Sequence, residues 1–540
     1  MLPAYLLGLL ASWGLDTLLR PRPGAPWQRP ISALCVHAGT WTLTFALALA
    51  LFRRPIFAAA SALALQYVLI IVNNAKVRAL DEPFVYPDFM FFIDTLKHPR
   101  LYLPFLGWLP PLAAALGYGL ALWAGLRFEP AVDADTPTGT LFVYVAALAA
   151  FGLALALIAA RRLPRSAAFD ATQDLRQLGL IAALWQYAAA ERADTQAIRA
   201  AAPFATLTQR VPRPCAVAAQ EEVQKTQPPA TTRHHAIALH ACPQTLPDLL
   251  VIQSESFFDP RRIYPQIRPE ILAHYDVLCA EALQHGQLQV DAWGANTIRT
   301  EFAFLSGLAP ESLGVHRFHP YRTLAKQGIA TLASYLRSLG YRSICVHPYH
   351  GSFYDRDKVL PMLGFDEFID LRAFRDAKRE GPYVSDLALG EYVQERLAQA
   401  RPDGSPPVYI HVITMENHGP LHWERVTDHD TQAVLSGPIP QGCDDLVAYA
   451  RHLRNADAMF GRLRQCLSNR TQPGVLCVFG DHVPIMPKVY RQLGAPDGAT
   501  DYLVWRSDRQ PDAAKSPAKT PVTIRINNLT QAVLAHSGIR

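Results

Sequence analysis

The chain has 540 residues, enough for two or more domains. Its net charge of +5 is small for that length, and no basic block or basic–aromatic interleaving marks a nucleic-acid surface. Its eight cysteines form no CxxC pair, which argues against a zinc ribbon or a thioredoxin-like motif.

Five apolar stretches occupy the first third, at 2–19, 31–52, 56–72, 101–126 and 140–160. A bilayer core takes about 20 apolar residues in helix. The third stretch is short and the first carries Asp16, so the pattern fits four or five spans. The first lacks the basic start and small-residue cleavage site of a signal peptide and reads as an anchor. The charges divide on orientation. Arg53 and Arg54 suit a cytoplasmic loop, whereas Arg161, Arg162 and Arg165 directly follow the last stretch. Residues 73–92 (NNAKVRALDEPFVYPDFMFF) mix polar and aromatic side chains and read as interfacial or partly re-entrant. Residues 175–187 (LRQLGLIAALWQY) have an amphipathic pattern expected to lie on the membrane surface. Residues 203–232 read as a linker, with His234, His235 and His240 in a solvated segment beside it. The expected organisation is a transmembrane domain of about five helices over 1–165, a juxtamembrane amphipathic helix and linker over 166–245, and a catalytic domain over 246–540.

From about residue 246 the pattern alternates strands and helices. DLLVIQ precedes Ser254-Glu255-Ser256, YRSICV precedes His347, VYIHVIT precedes Glu416-Asn417-His418, and VLCVFG precedes Asp481-His482. Continuous apolar runs of this length suit strands covered on both faces, and helical patterns at 331–339 and 390–398 fall between them. The expected fold is therefore a mostly parallel α/β sheet. In open α/β sheets ligands bind beyond the carboxyl ends of the strands. Glu255, His347, His418, Asp481 and His482 can thus converge although far apart in sequence. Carboxylates and imidazoles without a thiolate suit one divalent cation, Mn²⁺ or Mg²⁺ before Zn²⁺. Cys345 and Cys477 lie in strand-like runs and read as buried hydrophobes. Cys215 and Cys242 are left as an open pairing, His411 as a core histidine, and Ser385 as a helix cap.

QLQVDAW (287–293) predicts a further strand, followed by Gly294-Ala295-Asn296 and a helix that starts near Thr297. Free amides and the macrodipole at such a start favour an anion. A cation nearby would make the Thr297 hydroxyl a nucleophile. On this stretch alone, Thr297 or Asn296 reads more simply as an N-cap. Thr300, one turn in, points elsewhere.

Five stretches in order, VIQSESFFD, NTIRTEFAFLSGL, VHPYHGSFYDRDKVLPMLGFDEFID, ITMENHGP and FGDHVPIM, resemble the alkaline phosphatase and sulfatase superfamily. More closely they resemble its lipoteichoic acid synthase and phosphoglycerol transferase branch. The resemblance spans roughly 249–486 and implies an alkaline phosphatase/sulfatase-like α/β domain. It also implies that Glu255, Thr297, Asp481 and His482 hold the metal, Mn²⁺ first. Thr297 would be the nucleophile, four residues before the Glu301-Phe302 pair of the family pattern. His347, Arg356 and His418 would surround the substrate phosphate and glycerol. Tyr354 stands where close relatives carry tryptophan, and Arg299 where some carry a carboxylate. Without the family, Arg356 reads as a surface partner of Asp355 or Asp357. No C/S-x-P-x-R signature of a sulfate-ester hydrolase is present.

The resemblance implies transfer of phosphoglycerol from phosphatidylglycerol to a glycan or polyol, through a phospho-threonine intermediate. The chain would sit in the inner membrane with its catalytic domain periplasmic or extracellular. The alternatives are phosphoethanolamine transfer, ester hydrolysis, and a non-catalytic membrane sensor on a degenerate hydrolase fold.

Overall fold

Each of the five apolar stretches contains a helix in the computed structural model, which describes residues 1–101, 107, 109–132, 138–164, 168–210, 246–400, 405–509 and 520–539. They form α1 (Leu2–Leu15), α2 (Ile31–Phe52), α3 (Pro55–Leu80), α5 (Leu109–Phe128) and α6 (Thr138–Ala160), with the short α4 (Phe91–Lys97) before α5. Four of them, α2, α3, α5 and α6, are long and apolar enough to cross a membrane, and α1 is shorter. Consecutive long helices run antiparallel, while α1 and α3 pack in parallel, with Gly8 against Ala59 and Asp16 against Gln66. Tyr5 meets Thr42 at 2.7 Å and Ser12 meets His37 at 2.8 Å between α1 and α2. Small residues bring α2 and α6 into backbone contact. A Cβ on Gly39 would lie 2.7 Å from the Gly152 carbonyl oxygen, and one on Gly152 would lie 2.7 Å from the Leu43 nitrogen. The Glu129 carboxylate accepts from the Ile56 and Phe57 amides and so satisfies the open start of α3. Asp16, only 2 % exposed, finds its partners here: Arg29 at 2.6 Å and Gln66 at 3.1 Å.

Two expectations are corrected. The third helix does not stop at Val72 but continues to Leu80, so the first eight residues of the supposed interfacial loop are helical. Asn73 and Asn74 permit this because their side chains bond the facing loop rather than compete with their own backbone. Asn73 donates to the Arg20 carbonyl and accepts from the Phe84 amide, and Asn74 donates to the Leu18 carbonyl. The amphipathic stretch at 175–187 is not one continuous helix. Gly179 (φ 77°) splits it into α7 (Ala171–Leu178) and α8 (Leu180–Glu191). Leu178, Ala182 and Ala183 then pack on Ala33, Val36 and Ala159, and Trp185 donates to Thr40 across to α2. The supposed linker begins as a helix, α9 (Pro203–Arg210), with Phe204 buried against Tyr335. Arg165, Cys215, Cys242, His234, His235 and His240 lie outside the described residues.

The second region is built on an eight-stranded sheet of order β10-β2-β9-β8-β1-β7-β3-β4. Its strands are β1 (Asp248–Ser254), β2 (Gln284–Gln289), β3 (Arg342–Val346), β4 (Glu367–Ile369), β7 (Val408–Ile413), β8 (Gly474–Gly480), β9 (Thr500–Arg506) and β10 (Ile524–Arg525). A separate hairpin pairs β5 (Arg379–Glu380) with β6 (Tyr383–Val384). Only β9 opposes its neighbours, so the sheet is mostly parallel, as its apolar runs predict. Every residue of β1, β7 and β8 is buried because helices cover both faces. Leu250 and Ile252 face α10 (Ala273–Glu281), α14 (Asp386–Gln399) and α15 (Asp444–Ser468). Leu249 and Val251 face α11 (Thr297–Ser306), α12 (Leu332–Ser338), α13 (Arg356–Met362) and α16 (Ile526–Ser537).

One strand is displaced from its predicted place. QLQVDAW was expected at 287–293, but β2 covers Gln284–Gln289. The ladder with β9 pairs Gln284 to Leu288, and 290–293 have no strand partner. His285 and Gly286 weaken the local strand signal, but cross-strand pairing decides the register. Cys345, Cys477 and His411 are fully buried, as expected, with Tyr409 bonded to His411 Nδ1 at 3.0 Å.

Candidate functional site

The strands β8, β1, β7 and β3 are consecutive neighbours and run the same way. Their carboxyl ends therefore lie side by side, which brings together side chains up to 227 positions apart (Glu255 to His482). Glu255, Asp481 and His482 are buried, and one donor atom from each lies within 4.8 Å of the others. His482 Nε2 is 3.6 Å from Glu255 and 3.4 Å from Asp481 Oδ2. The Val483 carbonyl lies 3.1 Å from His482 Nδ1, which fixes the proton there and leaves the Nε2 lone pair facing the carboxylates. Asp481 Oδ1 accepts from the Ser256 and His482 amides, but Oδ2 is buried without a hydrogen-bond partner. An orphaned carboxylate oxygen beside a second carboxylate and an imidazole lone pair fits one divalent cation. Burial, with Asp481 beside it, raises the Glu255 carboxyl above its ordinary range.

Glycine before Asp481 has a steric reason. A Cβ on Gly480 would sit 1.8 Å from the Phe257 carbonyl oxygen, so any side chain would push β8 away from the turn after β1. Ser256 holds that turn at φ 56°, donating its hydroxyl to Glu255 at 3.0 Å and its amide to Asp481 at 2.8 Å. Sequence reasoning assigned Ser256 no role.

Thr297 is the first residue of α11, and its Oγ1 lies 3.4 Å from His482 Nε2. Asn296 occupies the N-cap position, as one of the two capping alternatives has it, but in a left-handed conformation (φ 67°) and without a side-chain cap bond. At the start of α11 the Arg299 amide bonds the Asn296 carbonyl at 2.9 Å, and the Asn296 side chain caps none of the other amides beside the Thr297 hydroxyl. Thr300 points elsewhere, donating to the Asp481 carbonyl at 2.7 Å.

Arg356 is 1 % exposed and pairs with Glu301 at 2.7 Å, which corrects its reading as a surface partner of Asp355 or Asp357. Glu301 is one turn after Thr297 on α11 and also accepts from Tyr321. Its clue in the sequence is an acid set within the apolar TEFAFL run. Arg356 also reaches His347 Nε2 at 3.4 Å, while His347 Nδ1 lies 3.1 Å from the Ile413 carbonyl. Burial, with Arg356 beside it, holds His347 well below its ordinary range, so the ring is neutral. Arg356 Nε has no partner. Tyr354 (φ 57°) and Asp355 (φ 54°) are successive left-handed residues, and the Tyr354 ring lies 5.2 Å from the Arg356 guanidinium. Such backbone strain is tolerated where surrounding contacts impose it. His418 shares a cavity of about 250 Å³ with Glu255, Asn296 and Tyr354, and its Nδ1 lies 2.7 Å from the Gly419 carbonyl.

Two residues near the motifs turn away. Glu416 accepts from the Asp386 amide, His452 and Asn455, on the far side of β7. Arg299 forms a bidentate pair with Glu82, at 2.7 and 2.9 Å, in the loop after α3. The position where a carboxylate was the alternative therefore ties the Thr297 helix to the membrane bundle.

The family model described as sulfatase matches residues 247–539. The chain is 32 % identical over 274 residues to a capsular polysaccharide biosynthesis protein, RkpI, of Rhizobium meliloti, covering 51 % of this chain and 47 % of that protein. It is 26 % identical over 183 residues to lipoteichoic acid synthase 1 of Bacillus subtilis, covering 33 % and 28 %. The chain thus spans less than half the length of either curated relative. A solved structure of the Streptococcus pyogenes phosphoglycerol transferase GacH, in complex with sn-glycerol-1-phosphate, is 22 % identical with a TM-score of 0.44. It covers 54 % of this chain and 75 % of that one.

Proposed function

The chain belongs to the sulfatase family, and from that premise we propose that it is a membrane-anchored, metal-dependent transferase. It moves phosphoglycerol from phosphatidylglycerol to a glycan or polyol acceptor through a phospho-threonine intermediate. The observation that carries this reading is the Thr297 hydroxyl at 3.4 Å from His482 Nε2, beside the buried Glu255–Asp481–His482 set. A degenerate, non-catalytic fold has no reason to keep Asp481 Oδ2 buried and unpartnered.

In this reading Glu255, Thr297, Asp481 and His482 hold one divalent cation, Mn²⁺ first, with Mg²⁺ and Zn²⁺ as alternatives. When bound, that cation stabilises the Thr297 alkoxide and the charge on the phosphoryl oxygens. The Thr297 oxygen attacks phosphorus, and the bond to the diacylglycerol oxygen breaks as the new P–O bond forms. The threonine proton leaves to a base and the departing oxygen takes a proton, giving diacylglycerol and glycerophospho-threonine. An acceptor hydroxyl then repeats the displacement in reverse and restores Thr297.

Arg356 offsets charge on the non-bridging oxygens. His347 aims Arg356 rather than moving protons, because both its nitrogens are engaged. His418, lowered by burial and held at Nδ1, is the better proton carrier through Nε2. Tyr354 closes the site over Arg356.

We also propose a division at the boundaries read from the sequence, with 1–165 as the anchor and 246–540 as the catalytic domain. Arg53 and Arg54 lie at the end of α2 and α3 away from the Glu82–Arg299 tie. By the positive-inside bias that end is cytoplasmic, and the catalytic domain faces outward.

The test is intact-mass analysis of the full chain in lipid nanodiscs with Mn²⁺ and either phosphatidylglycerol or phosphatidylethanolamine. A phosphoglycerol adduct on the parent, absent from Thr297→Ala, supports the reading. An adduct only from phosphatidylethanolamine moves it to the alternative donor, and no adduct from either sinks it.

A further inference from the structure

The cavity beside Thr297 is not walled by the catalytic domain alone. Val72, Ala75, Ala79 and Leu80, from the last turns of α3, line one side with Phe84 from the loop beyond and Phe92 from α4. Glu255, Asn296 and His418 line the other. We propose that this cavity receives the glyceryl-ester end of a diacyl phospholipid, so that the third membrane helix is one wall of the donor site. The proposal rests on the transferase reading and adds where the apolar part of the donor lies.

Three observations favour this occupant. The cavity runs from Glu255, one member of the cation set, to a helix long and apolar enough to cross a bilayer, so headgroup and hydrocarbon are met by different walls of one space. Its bundle side is mostly apolar, and its charged residues, Lys76 and Asp88, are paired with each other at 2.6 Å. A polyhydroxyl acceptor placed there would lose water bonds without replacing them, whereas ester-linked methylenes lose nothing. Phe92 is 39 % exposed and Phe89 37 %, and both pack against Phe84, Phe89 edge-on and Phe92 tilted, giving aromatic side chains at the level where α3 ends.

The wall is also held in register with the nucleophile. Lys76 on α3 bonds Glu82 at 2.5 Å and Asp88 at 2.6 Å. Glu82 in turn takes both arms of Arg299, two residues after Thr297. Burial would raise Glu82, but Arg299 and Lys76 outweigh it and hold the carboxyl well below its ordinary range, so it stays charged. A shift of α3 along its axis therefore moves the start of α11 as well.

The first experiment puts Ala79→Trp into the full chain in nanodiscs. It compares the rate on dioleoyl phosphatidylglycerol with the rate on bis(p-nitrophenyl) phosphate, a diester without acyl chains. The ratio is expected to fall at least about ten-fold, the scale of losing a buried apolar contact. A ratio equal to the parent's overturns the proposal. The second experiment needs no turnover and no substitution in α3. Thr297→Ala is irradiated with a phosphatidylglycerol carrying a diazirine next to the acyl ester, and the adducts are mapped by mass spectrometry. Adducts within residues 72–92 support the proposal, and adducts confined to other helices overturn it. If the parent forms no phospho-threonine while the adducts still map to 72–92, the transferase reading fails and the lipid site stands.

Discussion

Asp16 in the membrane bundle and Asp481 in the catalytic domain are both buried carboxylates, but their surroundings treat them differently. In the bundle both Asp16 oxygens are met, one by Arg29 and one by Gln66, and Arg29 also donates to the Gly24 carbonyl. In the catalytic domain Asp481 is completely buried with Oδ2 unpartnered, and Arg356 is 1 % exposed with Nε unpartnered. A buried polar atom left open costs free energy, so it persists where something else is to fill it. The met charges of Asp16 serve architecture, and the open atoms of Asp481 and Arg356 lie at the chemistry. Asp88 Oδ1, Arg451 Nε and Arg470 Nε are also unpartnered, so an open atom marks a site only beside other ligand groups.

The strongest way to break this contrast is to remove one partner on each side. Glu301→Ala leaves Arg356 buried and unpaired, and Asp16→Ala does the same to Arg29. Each is expected to cost about 3–5 kcal/mol in denaturation. Only Glu301→Ala should also lower turnover per folded molecule, by about a hundred-fold. Equal loss of turnover in both variants would erase the distinction.

A smaller effect comes from His452, a satisfied group inside the catalytic domain. Burial alone would lower it, but hydrogen bonds to Glu416 and Glu424 outweigh that and lift it to about 9 from 6.5. A raised folded-state value means the stabilisation is complete below pH 6.5 and is lost as pH rises through 9. The parent should lose roughly 3 kcal/mol over that window. Melting curves of His452→Gln should lack this component, and a parallel decline would show that His452 is not its source.

Next comes the open oxygen. Mn²⁺ at a hundred times its dissociation constant should add about 2.7 kcal/mol to the parent. Asp481→Asn should show no such gain in melting temperature. The least effect is expected at Ser385, whose hydroxyl caps α14 by accepting from the Ala388 amide. Ser385→Ala should cost about 1 kcal/mol by denaturation, with turnover unchanged.

Much of the site could be read before any coordinates, because continuous apolar runs announce buried parallel strands and the polar residues that follow must sit at one edge. Glu255, His347, His418, Asp481 and His482 were legible for that reason. Glu416 follows β7 as closely as His418 does, yet it turns to Asp386 and His452. Position after a strand says which edge a residue occupies, not which way it points. Glu301 was named only as part of a motif, since its partner Arg356 is 55 positions away. Arg299 read as a departure in substrate chemistry because its partner Glu82 lies in what looked like an interfacial loop, 217 positions earlier. The continuation of α3 past Val72 was hidden by Asn73 and Asn74, whose amides suggest a helix end unless the facing loop is known.

The crossing of α2 and α6 at Gly39 and Gly152 bears on how this chain can drift. Neither glycine can enlarge alone, since the obstacle on each side is main chain rather than a side chain that could rotate aside. Compensation would require the helices to separate along their whole crossing. These two sites are therefore expected to be inherited as a unit, and a lineage that lost one would have to rebuild the bundle around it.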